Sequence, residues 1–159
     1  MNKKYWIGLL LIIVALSGCK QNDWLDWKAQ NELWLIENAK REGVITTPTG
    51  LQYEIIQSGP DTGYPLRPDD SKVVTISYKG SLINGYQFDE SQSYSAYTNS
   101  FVSGFTEGLK RMKQFDKYRL YIPWNLGYGS KGNSVAEGNS SYIPPYTTLI
   151  FEVTLESVN

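Results

Sequence analysis

Twelve Tyr, five Trp and five Phe make up 14% of the 159-residue chain, while His is absent and Cys occurs once. Without imidazole there is no His-dependent triad and no zinc site of the usual ligand sets, and one thiol makes no disulfide scaffold. What the inventory favours is recognition by aromatic surface, because ring side chains bring large contact areas with defined geometry to a pocket. With Lys3 and Lys4 set aside, thirteen basic residues stand against sixteen acidic ones with no basic cluster. Nothing in that pattern tracks a phosphate backbone, so nucleic acid is not expected as a partner.

The single cysteine sits at the end of a leader. Lys3 and Lys4 precede an apolar run from Tyr5 to Leu16, 12 residues long, where spanning a bilayer takes roughly 20. The run ends in Leu16-Ser17-Gly18-Cys19, which resembles a bacterial lipobox, so residues 1–18 read as a lipoprotein signal peptide. Cys19 is then the lipidation site, and two or more acyl chains on one residue give stable anchoring where one does not. Lys20 differs from the Asp associated with inner-membrane retention, which points by analogy to the outer membrane of a bacterial envelope.

The mature chain reads as one domain behind a helix. Asn22 to Glu42 lacks Gly and Pro, with Trp24, Trp27, Trp34 and Leu35 near helical spacing, Asn22 or Asp23 as N-cap and Gly43 as stop. Its Trp stripe is expected to pack on the domain or to rest near the bilayer interface, and residues 19–46 form the lipidated Cys and a spacer helix. Leu51, Tyr53 and Ile55 alternate against Gln52 and Glu54, a strand with one buried face. The stretch Ser58 to Ser71 is rich in Pro, Gly and Asp and marks a connection. Val73 to Ile83 is a second strand, and Asn84-Gly85 suits a tight primed turn leading back through Tyr86, Phe88 and Asp89. Phe105, Leu109 and Met112 at i, i+4 and i+7 define a short helix over Gly104 to Met112, with Ser103 as cap. Tyr118-Leu120-Ile122 and Leu149-Phe151-Val153-Leu155 are two more alternating runs. The fold class is α+β: a curved antiparallel sheet of about five or six strands wrapped around one short helix.

In this order the pieces resemble the FKBP-type peptidyl-prolyl cis/trans isomerases over residues 47–159. The resemblance rests on Thr47-Pro48-Thr49-Gly50-Leu51-Gln52-Tyr53, on Val74 to Gly80, and on Asn84-Gly85 through Phe88-Asp89-Glu90-Ser91. It continues in Phe101-Val102-Ser103-Gly104-Phe105 with Glu107-Gly108-Leu109 and Met112, and in Ile122-Pro123 to Gly127-Tyr128-Gly129. Its most diagnostic stretch is Ile143-Pro144-Pro145 followed by Thr148-Leu149-Ile150-Phe151-Glu152-Val153. The resemblance implies catalytic roles for Asp89, Tyr128 and Tyr78, and substrate contacts for Phe88, Phe101, Val102, Phe105, Ile143 and Phe151. It implies Tyr128 donating its hydroxyl to the substrate carbonyl, and Asp89 orienting the pocket through the hydroxyl of Tyr78. No metal and no cofactor are implied. The implied partners are prolyl-containing polypeptides and macrolide inhibitors such as tacrolimus, with membrane contact through lipidated Cys19 and a monomeric chain.

An apolar lining suits that reaction. Turning an X-Pro bond breaks amide conjugation across a barrier of about 18–20 kcal/mol without making or breaking a covalent bond. The planar imide is the more dipolar form, so a water-excluding pocket favours the twisted one. A gain of about 10⁶ takes roughly 8 kcal/mol, which distortion worth about 1–5 and a charged hydrogen bond worth about 1.5–3 only just supply. Three features depart from the family pattern. Phe105 stands where a Trp is usual, only eleven residues separate Asp89 from Phe101 with either Tyr94 or Tyr97 available as the wall, and the Gly/Ser/Asn-rich stretch Ser130 to Ser141 is long. That stretch is expected to be a mobile loop overhanging the pocket. A non-catalytic partner-binding lipoprotein is the alternative reading, and glycan or nutrient capture a third.

Overall fold

Alternating strands with one apolar face must bury that face on something, and here a single helix receives it. The computed structural model describes residues 20–60 and 66–159, with side chains reported from residue 24 onward in the first helix. The expected lipidation at Cys19 and the signal peptide therefore lie outside the described residues. The helices are α1 (Lys20–Asn38) and α2 (Ser103–Arg111), and the strands are β1 (Ile45–Thr46), β2 (Gln52–Gln57), β3 (Val73–Ser81), β4 (Gln87–Tyr97), β5 (Lys117–Ile122) and β6 (Leu149–Val158). All pairings are antiparallel, in the spatial order β1-β2-β5-β6-β3-β4.

Strand β6 is the spine. Its inward residues Leu149, Phe151, Val153 and Leu155 are buried, and it is paired on both sides, with Leu120 of β5 opposite Phe151 and Tyr78 of β3 opposite Val153. Helix α2 lays Phe105 and Leu109 on this face, and Met112, just past the helix, joins them. The α+β arrangement of six strands around one helix matches the expectation from sequence.

Four local readings are corrected. The β3–β4 connection is not a two-residue primed turn: Gly85 N–H donates to Leu82 O and Leu82 N–H donates to Tyr86 O, enclosing Ile83-Asn84-Gly85. Gly85 takes φ +84°, the left-handed residue that a three-residue hairpin loop requires. Ser103 does not cap α2; Val102 holds the N-cap position, and the Ser103 hydroxyl donates to Leu126 O at 3.2 Å. On β2, Ile55 is exposed while Gln52 is buried, because the outer face of the sheet is also covered at that end. The cover is α1, which ends at Asn38 rather than at Gly43 and holds the expected caps Asn22 and Asp23 within the helix. Asn38 Nδ2 donates to Gln52 Oε1 at 2.9 Å, Gln52 Nε2 donates to Leu35 O at 3.0 Å, and Trp34 packs on the buried Tyr121 at 5.6 Å. The Trp stripe thus packs on the domain, and α1 is more than a spacer.

Candidate functional site

A cavity of about 330 Å³ opens beside the first turn of α2. Phe105 forms its floor at 3% exposure. Phe101 stacks on it at 4.8 Å and 29°, and Phe151 meets it edge-on at 4.9 Å and 85°. Tyr78 stands edge-on to both rings, at 6.4 Å from Phe105 and 6.0 Å from Phe151. These are the tilted and offset geometries that ring quadrupoles prefer, so the cluster is rigid without being filled. Val102 completes the apolar side, and Asp89, Tyr128 and Ser100 bring polar atoms to the rim.

The sheet register brings these groups together. Gly80 of β3 lies opposite Asp89 of β4 and opposite Phe151 of β6, which sets a carboxylate and a ring on strands flanking one bare residue. The Tyr78 hydroxyl donates to Asp89 Oδ2 at 2.9 Å. Burial, then the hydrogen bond and charge of Asp89, push the Tyr78 phenol far above its ordinary range. Burial, then the Asp89 charge, push the Tyr128 phenol up as well. Both hydroxyls stay protonated at neutral pH and remain donors. That of Tyr78 is committed to Asp89, whereas that of Tyr128 makes no hydrogen bond among the described residues. Tyr128 is 43% exposed, so its hydroxyl is available to a ligand carbonyl.

Of the nine site residues expected from sequence, Tyr78, Asp89, Phe101, Val102, Phe105, Tyr128 and Phe151 line the cavity. Phe88 and Ile143 do not: Phe88 is buried behind Phe151 at 5.5 Å and 89°, and Ile143 is sealed in the core. Phe88 backs the lining rather than forming it. The open choice of aromatic wall resolves to Tyr94, edge-on to Tyr78 at 6.2 Å and to Phe101 at 6.1 Å. Tyr97 is exposed and away from the lining. Ser100 carried no signal in the sequence, since it enters through the short 3-10 turn Thr98–Ser100 that follows β4.

The stretch Ser130 to Ser141 neither overhangs the cavity nor lacks structure. Asn133 Nδ2 donates to Ser141 O at 2.7 Å, Ile143 N–H donates to Asn133 Oδ1 at 3.0 Å, and Tyr86 donates its hydroxyl to Ser140 O at 3.0 Å. Asn side chains substitute here for a backbone ladder.

The fold and the cavity define an α+β domain with an aromatic cleft bordered by tyrosyl hydroxyls. Residues 65–156 match the family model described as FKBP-type peptidyl-prolyl cis-trans isomerase, and residues 19–55 match that of the domain amino terminal to it. The chain belongs to the FKBP-type peptidyl-prolyl cis-trans isomerase family. It is 37% identical over 142 residues to the FKBP-type peptidyl-prolyl cis-trans isomerase FkpA of Escherichia coli K12, covering 87% of this chain and 48% of that protein. It is 32% identical over 135 residues to the outer membrane protein MIP of Legionella longbeachae, covering 82% of this chain and 54% of that protein. The crystal structure of Escherichia coli FkpA superposes with a TM-score of 0.76 at 36% identity, covering 87% of this chain and 62% of that one. The chain spans about half the length of these curated relatives.

Proposed function

We propose that this domain is a peptidyl-prolyl cis/trans isomerase acting on exported polypeptides in a bacterial cell envelope. The observation that carries the reading is the Phe101–Phe105–Phe151 cleft with the Tyr128 hydroxyl, unengaged among the described residues, at its rim. A prolyl ring enters the cleft, and the residue before it reaches the rim. Loss of water there disfavours the planar, charge-separated imide, and Tyr128 donates to a substrate carbonyl, which anchors the peptide while the bond twists. Asp89, held by Tyr78, places a carboxylate at the same rim, where it orients the pocket. No bond is made or broken, so positioning and polarity carry the whole effect.

Exchange spectroscopy on a short X-Pro peptide tests this. Micromolar protein should accelerate cis/trans exchange, and tacrolimus, which competes for the same cleft, should abolish the acceleration. Tyr128→Phe should lower kcat/KM by roughly 3- to 10-fold, the worth of one neutral hydrogen bond. Tight peptide binding with unchanged exchange would instead establish a non-catalytic binding module.

The reading of Cys19 as an acylated residue supports a tether to the outer membrane, and the relative named outer membrane protein MIP is consistent with it. On this reading Cys19→Ala should move the protein from the membrane fraction to the soluble one. Unchanged membrane retention of that variant would rule the tether out.

A further inference from the structure

Helix α1 lies outside the isomerase match at 65–156, yet its side chains reach both segments that frame the Tyr128 side of the cleft. One is 123–131, which carries Tyr128; the other is 143–148, which leads into β6 and Phe151. On the second segment, Trp27 Nε1 donates to Thr147 Oγ1 at 2.9 Å, and that hydroxyl donates on to Pro144 O at 2.8 Å. One turn along the helix, Asn31 has no exposed surface. Its Oδ1 accepts Thr148 N–H at 2.8 Å while its Nδ2 is held on Trp27 O at 2.8 Å.

On the first segment, Trp124 Nε1 donates to Glu32 Oε1 at 3.2 Å. Lys28 bridges the two segments, with its ammonium 5.5 Å from the Trp124 ring and 5.6 Å from the Tyr146 ring. The segments are then joined to each other where Tyr146 N–H donates to Gly129 O at 3.0 Å, one residue from Tyr128. Tyr146 makes this bond from φ +57°, a conformation costly for a non-glycine residue and held by its surroundings.

We propose that α1 is a positioning element of the isomerase site: Trp27 and Asn31 fix the 143–148 segment, which through the Tyr146–Gly129 bond fixes Tyr128 over the cleft. A helix that only added stability would have no need to grip the strained segment bonded to the Tyr128 loop by two hydrogen bonds and a cation–π contact. Displacements well under an ångström at a donor are enough to lower turnover, because catalysis by positioning falls steeply with misplacement. The inference rests on the isomerase reading, and its test separates the two.

The test uses Thr147→Val, which keeps the shape of the side chain and removes the hydroxyl that links Trp27 to Pro144, with Thr147→Ser as the conservative partner and Trp27→Phe as a second break of the same link. Two readouts are taken on folded protein: kcat/KM for an X-Pro peptide, and hydrogen exchange of the Tyr146 amide. Thr147→Val and Trp27→Phe should each lower kcat/KM by roughly 3- to 10-fold, mainly through kcat. They should also speed Tyr146 exchange by about tenfold or more, and Thr147→Ser should restore both. In a Tyr128→Phe background the same changes should cost less than about twofold, because effects that act through one group do not add. Full activity with unchanged exchange overturns the proposal, and so does an equal loss in both backgrounds. Were the unaltered protein inactive, the isomerase reading would fall by itself. Tyr146 exchange would then decide the positioning claim, faster in Thr147→Val supporting it and unchanged refuting it.

Discussion

Cutting Phe105 back to alanine should cost about 3–5 kcal/mol of folding stability and remove prolyl-peptide binding at the same time. The two losses coincide because one ring does two jobs. At 3% exposure it is a core residue of α2, and its remaining face is the floor of the cleft. Removing it strips the stacking partner of Phe101 at 4.8 Å and the edge contact of Phe151 at 4.9 Å. Both rings then border a void instead of a wall, and a void too small for good packing forfeits dispersion on every surface that lined it. Phe105→Leu is the control, since it keeps most of the apolar volume and should cost far less stability. Urea unfolding and peptide titration measure the two effects. An alanine variant that lost less than about 1 kcal/mol would show that the site collapses without strain and that Phe105 is not the floor.

Strand periodicity made most of the sheet legible. Leu149, Phe151, Val153 and Leu155 can share a face only in an extended chain, and Phe105 and Leu109 only on a helix. What escaped depends on contacts between elements. Ile55 continues the apolar alternation of Leu51 and Tyr53, yet it is exposed, while Gln52 on the opposite face is sealed by Asn38 and the carbonyl of Leu35. A strand covered on both faces at one end and on neither at the other has no simple period to read.

The site was legible as a set of residues but not as layers. Phe88 and Phe151 are alike in type and both belong to motif segments, yet one ring lies behind the other. The choice between Tyr94 and Tyr97 turned on register. β3 and β4 shift register between Ile76 and Tyr78, with Ile76 opposite Tyr94, and such a bulge sends neighbouring side chains to positions that simple alternation does not predict. The Gly/Ser/Asn-rich stretch 130–141 looked unstructured because its order comes from side-chain bonds of Asn133 to carbonyls and amides eight to ten residues away, which have no sequence period.

Gly80→Ala should damage the site from the opposite direction, by overfilling it. A Cβ at this position would lie 2.7 Å from Phe151 Cε1, 2.7 Å from Phe88 Cζ and 2.9 Å from Phe88 Cε2. The backbone cannot retreat, since β3 is paired with β6 on one side and β4 on the other, with Gly80 held opposite Phe151 and Asp89. Both rings must therefore give, and the freer one moves further. Phe88 has core behind it, whereas Phe151 has the open cavity on its far side, so Phe151 swings into the cleft. Overpacking of this kind costs about 1–3 kcal/mol, which exceeds the roughly 0.5–1 kcal/mol that alanine regains over glycine in a strand. The ring that moves takes the space of the prolyl group, so peptide affinity should fall by about tenfold or more, near 1.4 kcal/mol. Placing the same change in a Phe151→Leu background isolates the Phe151 share: the smaller side chain removes one of the two clashes and leaves the one with Phe88, so Gly80→Ala should there cost clearly less in urea unfolding. Equal destabilisation in both backgrounds would mean that Phe151 is not the ring that gives way.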